Sequence, residues 1–167
     1  MNKETVPIFK FIVVGDQFVS KSSFVKQYSE SIFIEALKPT IGVEFEKKWL
    51  LWINVKLNYN FGILMIKSFY RGAAAVCVLY DVNQRESFER LNQWLQELQE
   101  SAHEEIVKIL VGNKSDLDRD ISKQEAEQFM NQNNFSLFFE TSAKTGENVE
   151  KGFCRSCQIS DYANCYK

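Results

Sequence analysis

The chain has 167 residues, 45% of them hydrophobic and 25% charged, which is enough for one well-buried domain and too few for two. A net charge of -2 does not supply the basic surface that phosphate neutralisation demands, which argues against a nucleic-acid binder. The longest apolar run, residues 73–80, is far below a membrane span, and Asn2 stands where N-myristoylation needs glycine.

Four cysteines, Cys77, Cys154, Cys157 and Cys165, accompany a single histidine, His103. With no secretory leader at the start, reduced cytosolic thiols are the simplest reading. The spacing Cys154-x-x-Cys157 invites zinc, but no second Cys pair and no nearby His complete a tetrahedral site.

In chain order, residues 9–14 read as a buried strand, and a helix runs from about Lys21 to Ser29. Between them lies Gly15-Asp16-Gln17-Phe18-Val19-Ser20-Lys21-Ser22, a phosphate-loop pattern with Ser20 where the second glycine would stand. In such a turn, backbone N–H groups and the positive helix end surround phosphates, and the Lys ammonium neutralises them. The glycine accepts positive φ and close backbone approach, so Ser20 costs about 1 kcal/mol or loosens the loop.

Residues 41–51 and 53–59 are apolar, β-branched stretches close enough to pair as an antiparallel hairpin. Residues 73–82 and 106–111 are continuous apolar strands of the kind covered on both faces. From Ser87, read as an N-cap, the residues Phe88, Leu91, Trp94, Leu95 and Leu98 recur at helical spacing and form a core stripe.

The second of those strands ends in Val111-Gly112-Asn113-Lys114-Ser115-Asp116-Leu117. An Asp carboxylate at that point can accept two hydrogen bonds from the N1–H and N2–H₂ edge of guanine, and adenine offers no matching pair of donors. Sites built on buried hydrogen bonds reject the analogue that lacks them by orders of magnitude. Ser122-Lys123-Gln124-Glu125 fits a capping box for a helix that turns Ala126, Phe129 and Met130 inward. A further apolar segment, 135–139, leads into Thr141-Ser142-Ala143-Lys144, and a short amphipathic segment with Val149 and Phe153 follows. The pattern then fades over 154–167. Alternating strands and helices point to a mostly parallel sheet, and three polar loops at strand ends lie where such a sheet places its ligand.

With Lys38-Pro39-Thr40-Ile41-Gly42-Val43-Glu44-Phe45, Tyr70-Arg71-Gly72-Ala73-Ala74, Gly112 to Leu117 and Glu140-Thr141-Ser142-Ala143-Lys144 in this order, the chain resembles a Ras-superfamily small GTPase, most of all the Rab branch. The resemblance runs from about Ile8 to Phe153 and is interrupted once. It implies an α/β P-loop NTPase fold, a small G domain with a six-stranded mostly parallel sheet, one antiparallel strand and helices on both faces. That single domain would span 1–167, with 154–167 a divergent tail.

The cofactors it implies are GTP or GDP and Mg²⁺. Gly15, Asp16, Gln17, Val19, Ser20, Lys21, Ser22 and Ser23 would surround the phosphates, and Phe33 would pack against guanine. Asn113, Lys114 and Asp116 would fix the base with Ser142, Ala143 and Lys144. Pro39, Thr40 and Gly62 would lie at the γ-phosphate, with Ser22 and Thr40 on the metal. The segment 33–45 becomes a first switch whose order reports the bound nucleotide. Regulators and effectors would dock through Ile41, Gly42, Val43, Phe45 and Phe69.

The second switch departs from the family. Where W-D-T-A-G-Q-E is expected, residues 58–69 read Asn-Tyr-Asn-Phe-Gly-Ile-Leu-Met-Ile-Lys-Ser-Phe, several residues shorter. Aligned on Gly62, Tyr59 replaces the metal-side Asp and Ile63 the water-orienting Gln, so no catalytic residue is identified. Gln17 and Phe18 add bulk where an arginine finger would enter. Hydrolysis that relies on positioning water and neutralising charge is then expected to be slow or lost.

The run 63–66 is expected to fill space beneath the short loop. The ending Cys165-Tyr166-Lys167 shows no prenylation box, so no stable membrane anchor is expected. The reading is cytoplasmic, and peripheral to endomembranes only if a lipidated form exists. Two functions stand at this level: a nucleotide switch in vesicle transport, and a non-hydrolysing scaffold or decoy for Rab regulators. The residues alone leave turnover open.

Overall fold

A computed structural model of the chain describes residues 9–33, 45–48, 53–57, 70–103, 106–153 and 155–156. Six strands are present: β1 (Phe9–Gly15), β2 (Phe45–Lys48), β3 (Ile53–Leu57), β4 (Ala75–Asp81), β5 (Val107–Asn113) and β6 (Leu137–Glu140). They form one sheet in the order β2-β3-β1-β4-β5-β6. Among the described strands only β2 runs antiparallel, paired to β3 from Phe45↔Lys56 to Lys48↔Ile53, so the expected hairpin and fold class are both present.

The helices are α1 (Lys21–Glu30), α2 (Arg85–Glu89), α3 (Leu91–Ser101) and α4 (Lys123–Gln132), with a last helical stretch at 149–153. None of the described helices is long and apolar enough to cross a membrane.

Strand alternation sorts the core into two layers. On one face Phe11, Val13, Cys77, Leu79, Ile109 and Val111 pack with Phe24, Val25 and Tyr28 of α1 and with Val149 and Phe153. On the other, Ile12, Val14, Val76, Val78 and Leu110 pack with Phe88, Leu91, Trp94, Leu95 and Leu98. A strand buried on both faces has no solvent side, which is why β4 reads as an unbroken apolar run.

Ser87 is not the N-cap that its position suggests. The helix opens earlier, at Arg85, and breaks at Arg90 before α3 begins. Ser87 turns back to the strand, where its Oγ accepts the Asp81 N–H at 3.0 Å and donates to the Gln84 carbonyl at 2.7 Å. Ser122 does cap α4, its side chain accepting the Glu125 N–H at 3.2 Å. Ala126 is buried there, and Phe129 and Met130 pack against the core.

Strand order reverses about β1, with β3 on one side and β4 on the other, and the parallel strands deliver Gly15, Asn113 and Glu140 to the same edge. That is the ligand-binding edge of an open α/β sheet.

Phe153 stacks on Tyr28 at 4.0 Å and on Phe24 at 5.1 Å between ring centroids, and meets Phe11 edge-on at 6.0 Å. Phe153→Ala should lower stability to urea by about 3–5 kcal/mol, because the void is walled by rings that cannot collapse into it. A loss under about 1 kcal/mol would show that the last helical stretch is not part of the core.

Candidate nucleotide site

The phosphate-loop candidate begins where β1 ends. Gly15 has φ 145°, and a Cβ there would lie 2.3 Å from the Leu79 carbonyl oxygen, so no other residue fits. The loop then turns through two left-handed residues that are not glycine, Phe18 at φ 66° and Ser20 at φ 64°. Ser20 occupies the N-cap of α1 but makes no side-chain cap bond, and no acidic residue sits in the first turn. The positive end of the helix therefore meets no carboxylate of its own first turn, a charge pattern that suits an anion.

Lys21 is buried and donates through Nζ to the carbonyls of Gly15 at 2.7 Å and Asp16 at 2.5 Å. Burial lowers its pKa to about 8, against the upward pull of the nearby Asp16 carboxylate. Ser22, Ser23 and Val19 are buried beside it, Gln17 is exposed, and Phe18 projects outward with 73% of its surface exposed.

The second loop leaves β5. Asn113 is fully buried, and its Nδ2 donates to the Val19 carbonyl at 2.9 Å. Its Oδ1 accepts the Thr141 hydroxyl at 3.2 Å and the Ala143 N–H at 3.1 Å. The next residue, Lys114, has φ 64° and pairs with the buried Asp81 carboxylate at 2.6 Å.

Asp116 stands exposed at the rim, its Oδ1 accepting the Ser142 hydroxyl at 2.5 Å. Ser142 is in turn held by the Thr145 N–H at 3.0 Å. A cavity of about 230 Å³ opens between these loops, lined by Ser20, Phe33, Lys114, Asp116, Leu117, Ala143 and Lys144. Its wall offers an apolar face in Phe33 and a carboxylate acceptor in Asp116, which suit a flat ring with adjacent N–H donors.

A model described as the Ras family matches residues 10–160 of the chain. The chain belongs to the Ras family. Among its relatives is the Ras-related protein Rab-2B of Dictyostelium discoideum, 36% identical over 90% of this chain and 79% of that protein. The Ras-related protein Rab-4A of Danio rerio is 40% identical over 87% and 73% respectively. The family member described here sits on the Rab branch.

For this Rab-branch chain the structure gathers Ser20, Phe33, Lys114, Asp116, Ala143 and Lys144 around one cavity, with Ser142 and Asn113 directly behind. Gly15, Asp16, Lys21, Ser22 and Ser23 adjoin it through the phosphate loop. Pro39, Thr40, Ile41, Gly42, Val43, Gly62 and Phe69 lie outside the described residues, as do the second-switch segment 58–69 and the tail from 157. Phe45 opens β2, where the backbone pairs with Lys56.

Three contributors carried no motif signal. Asp81 holds Lys114, Arg90 pairs with Asp16 at 2.7 Å, and Arg119 forms a two-pronged pair with Glu140 at 3.1 Å on each arm. Glu140 also receives Lys123 at 3.3 Å.

Two expectations follow for this Ras-family chain. Ser20→Gly should raise stability by up to about 1 kcal/mol, seen in urea unfolding, since glycine alone occupies the left-handed region without strain. An unchanged or lower midpoint would mean that Ser20 sits there at no cost.

The Lys21 ammonium should destabilise the nucleotide-free fold at neutral pH, because its folded pKa lies below the usual 10.5. Between pH 8 and 10.5 the unfolded chain binds the proton and the folded chain does not, so this penalty fades as pH rises. The stability of wild type relative to Lys21→Met should therefore improve by about 2–3 kcal/mol from pH 7 to pH 10.5. A difference that stays flat over that range would show Lys21 titrating normally.

Proposed function

We propose that this chain is a Rab-type guanine-nucleotide switch in vesicle transport, a single domain that binds GTP and GDP with Mg²⁺ and hydrolyses GTP slowly or not at all. The observation that carries this reading is the Asp116 carboxylate, fixed by Ser142 at the mouth of a cavity that Phe33, Ala143 and Lys144 also line. A carboxylate held in one orientation can accept from both N–H groups of the guanine edge, and Ala143 and Lys144 line the same space.

On the phosphate side the N-terminus of α1 and the Lys21 ammonium supply positive charge. Phosphate oxygens would offer Lys21 acceptors in place of the loop carbonyls, and their negative charge would favour its protonated form. Ser22 and Thr40 would hold Mg²⁺, an ion that keeps several waters and needs few protein ligands when phosphates share it. Bound with that ion, GTP would supply the γ-phosphate, the group to which a first switch over residues 33–45 would respond.

Support for weak hydrolysis lies in side chains. Between Gln17 and Tyr80 there is no Asp, and between Tyr28 and Asn83 no Gln, so the metal-side carboxylate and the water-orienting amide have no source in the second switch. Phe18 extends from the loop into solvent, and its bulk would obstruct an incoming arginine. Docking of regulators and effectors would use Ile41, Gly42, Val43, Phe45 and Phe69, and membrane association would be peripheral and dependent on lipidation.

Titration of the purified protein with GDP and ADP in Mg²⁺ should show a preference for guanine of about 10³-fold or more, abolished in Asp116→Ala. Single-turnover cleavage should fall well below the ~4 × 10⁻⁴ s⁻¹ of an intact small GTPase. Equal affinity for the two bases would end the switch reading, and cleavage at the ordinary rate would end the claim of lost hydrolysis.

A further inference from the structure

The phosphate loop carries a charge that opposes its task. Asp16 directly follows Gly15, its side chain is only 13% exposed, and its Oδ1 accepts the Gln17 N–H at 2.8 Å, so the carboxylate is held in place beside the loop. A fixed anion there repels phosphates, and partial burial strengthens the repulsion because water screens it less.

The loop's own cation does not cancel this charge by contact. The hydrogen bonds that Lys21 makes to the loop go to the Gly15 and Asp16 main-chain carbonyls. The side-chain partner of Asp16 comes instead from 74 residues away, where Arg90 sets Nη1 2.7 Å from the second carboxylate oxygen.

Arg90 is delivered by a rigid element. It sits at the joint of α2 and α3, its N–H bonded to the Glu86 carbonyl at 3.1 Å, between Phe88 and Leu91, which are both buried in the core. Its guanidinium also stands 3.7 Å from Glu86, with about half of the side chain in solvent.

We propose that Arg90 is the counter-charge that makes a phosphate loop bearing Asp16 acceptable to a nucleotide's phosphates, a positioning residue that acts through Asp16 and sets the affinity for di- and triphosphates. The proposal rests on the guanine-nucleotide reading above and extends it to a residue outside every phosphate-loop and base-reading motif. It predicts a charge effect with a definite sign. Removing the cation exposes the anion and weakens binding, removing the anion leaves a spare cation and tightens it, and removing both returns the loop to near its starting balance. A pair that served only as a strut would behave otherwise, because each single change and the double change would break it equally.

The test is the dissociation constant for GDP and for GTP, in Mg²⁺, of wild type, Arg90→Ala, Arg90→Lys, Asp16→Asn and the Arg90→Ala/Asp16→Asn double variant. Arg90→Ala should weaken binding on the order of tenfold, with a deficit that shrinks between about 0.05 M and about 0.5 M salt. Arg90→Lys should keep most of the wild-type affinity, Asp16→Asn should bind more tightly than wild type, and the double variant should recover to within about threefold of it.

Equal weakening in Arg90→Ala, Asp16→Asn and the double variant would overturn the proposal in favour of a strut, and an unchanged Arg90→Ala would overturn it outright. If Arg90→Ala fails to fold, Arg90→Lys against Asp16→Asn still decides, since only the charge account makes Asp16→Asn the tighter binder. Wild type that takes up no guanine nucleotide would overturn the function reading and this inference together. Tight wild-type binding with a flat variant series overturns this inference alone.

Discussion

One buried side-chain amide holds the site together. Asn113 takes the Val19 carbonyl of the phosphate loop on its Nδ2, and the Thr141 hydroxyl and Ala143 N–H of the third loop on its Oδ1. Three segments that are distant in sequence therefore share one reference point. With the residue fully buried, no water can replace a partner that drifts away, and each orphaned group would cost about 1–3 kcal/mol. The parallel sheet brings the strand ends to one edge, but the Asn113 amide fixes the loops beyond them to within hydrogen-bond tolerance. Around it Ser115 N donates to Thr141 O and Thr141 N donates to Gly112 O, so the base side has its own backbone lattice.

The phosphate side is built against local preference. Phe18 and Ser20 both adopt left-handed conformations that favour glycine, and a partly buried Asp16 and a buried Lys21 add electrostatic penalties. Strain and unfavourable charge of this kind persist only where surrounding structure imposes them, and they gather at functional sites. Here the imposition is identifiable: Asn113 pins Val19 from beneath, Arg90 grips Asp16 from the side, and Gly15 admits the close passage over Leu79. A phosphate-bearing ligand would relieve the Lys21 penalty directly, so stability and ligand affinity are coupled through the same few residues.

Much of this could be read in the sequence because its signals are local. The unbroken apolar run of β4 announces burial on both faces, Ser122 and Glu125 announce a helix start, and Asn113 to Asp116 announce a polar loop at a strand end, which lies beside the cavity. The missing Gly at Ser20 was legible as a strained position, and the left-handed φ bears that out.

Other features have no local signal. Ser87 fits an N-cap by sequence, but the nearby strand end offered its hydroxyl a better set of partners. Arg90 and Asp81 look like ordinary surface charges until the fold brings them to Asp16 and Lys114. Asn113 stood out in sequence as part of a polar loop, while its role as a fastener emerges once the three loops converge. Local propensity and motif spacing describe elements, and only three-dimensional placement reveals which charges meet.

The cavity beside Asp116 is proposed to hold a guanine nucleotide. Denaturing the freshly purified protein and identifying the released small molecules by chromatography tests it most directly. Close to one guanine nucleotide per chain should be released, and GTP should be prominent if hydrolysis is slow or lost. Protein that emerges empty, or that carries an adenine nucleotide, would contradict it.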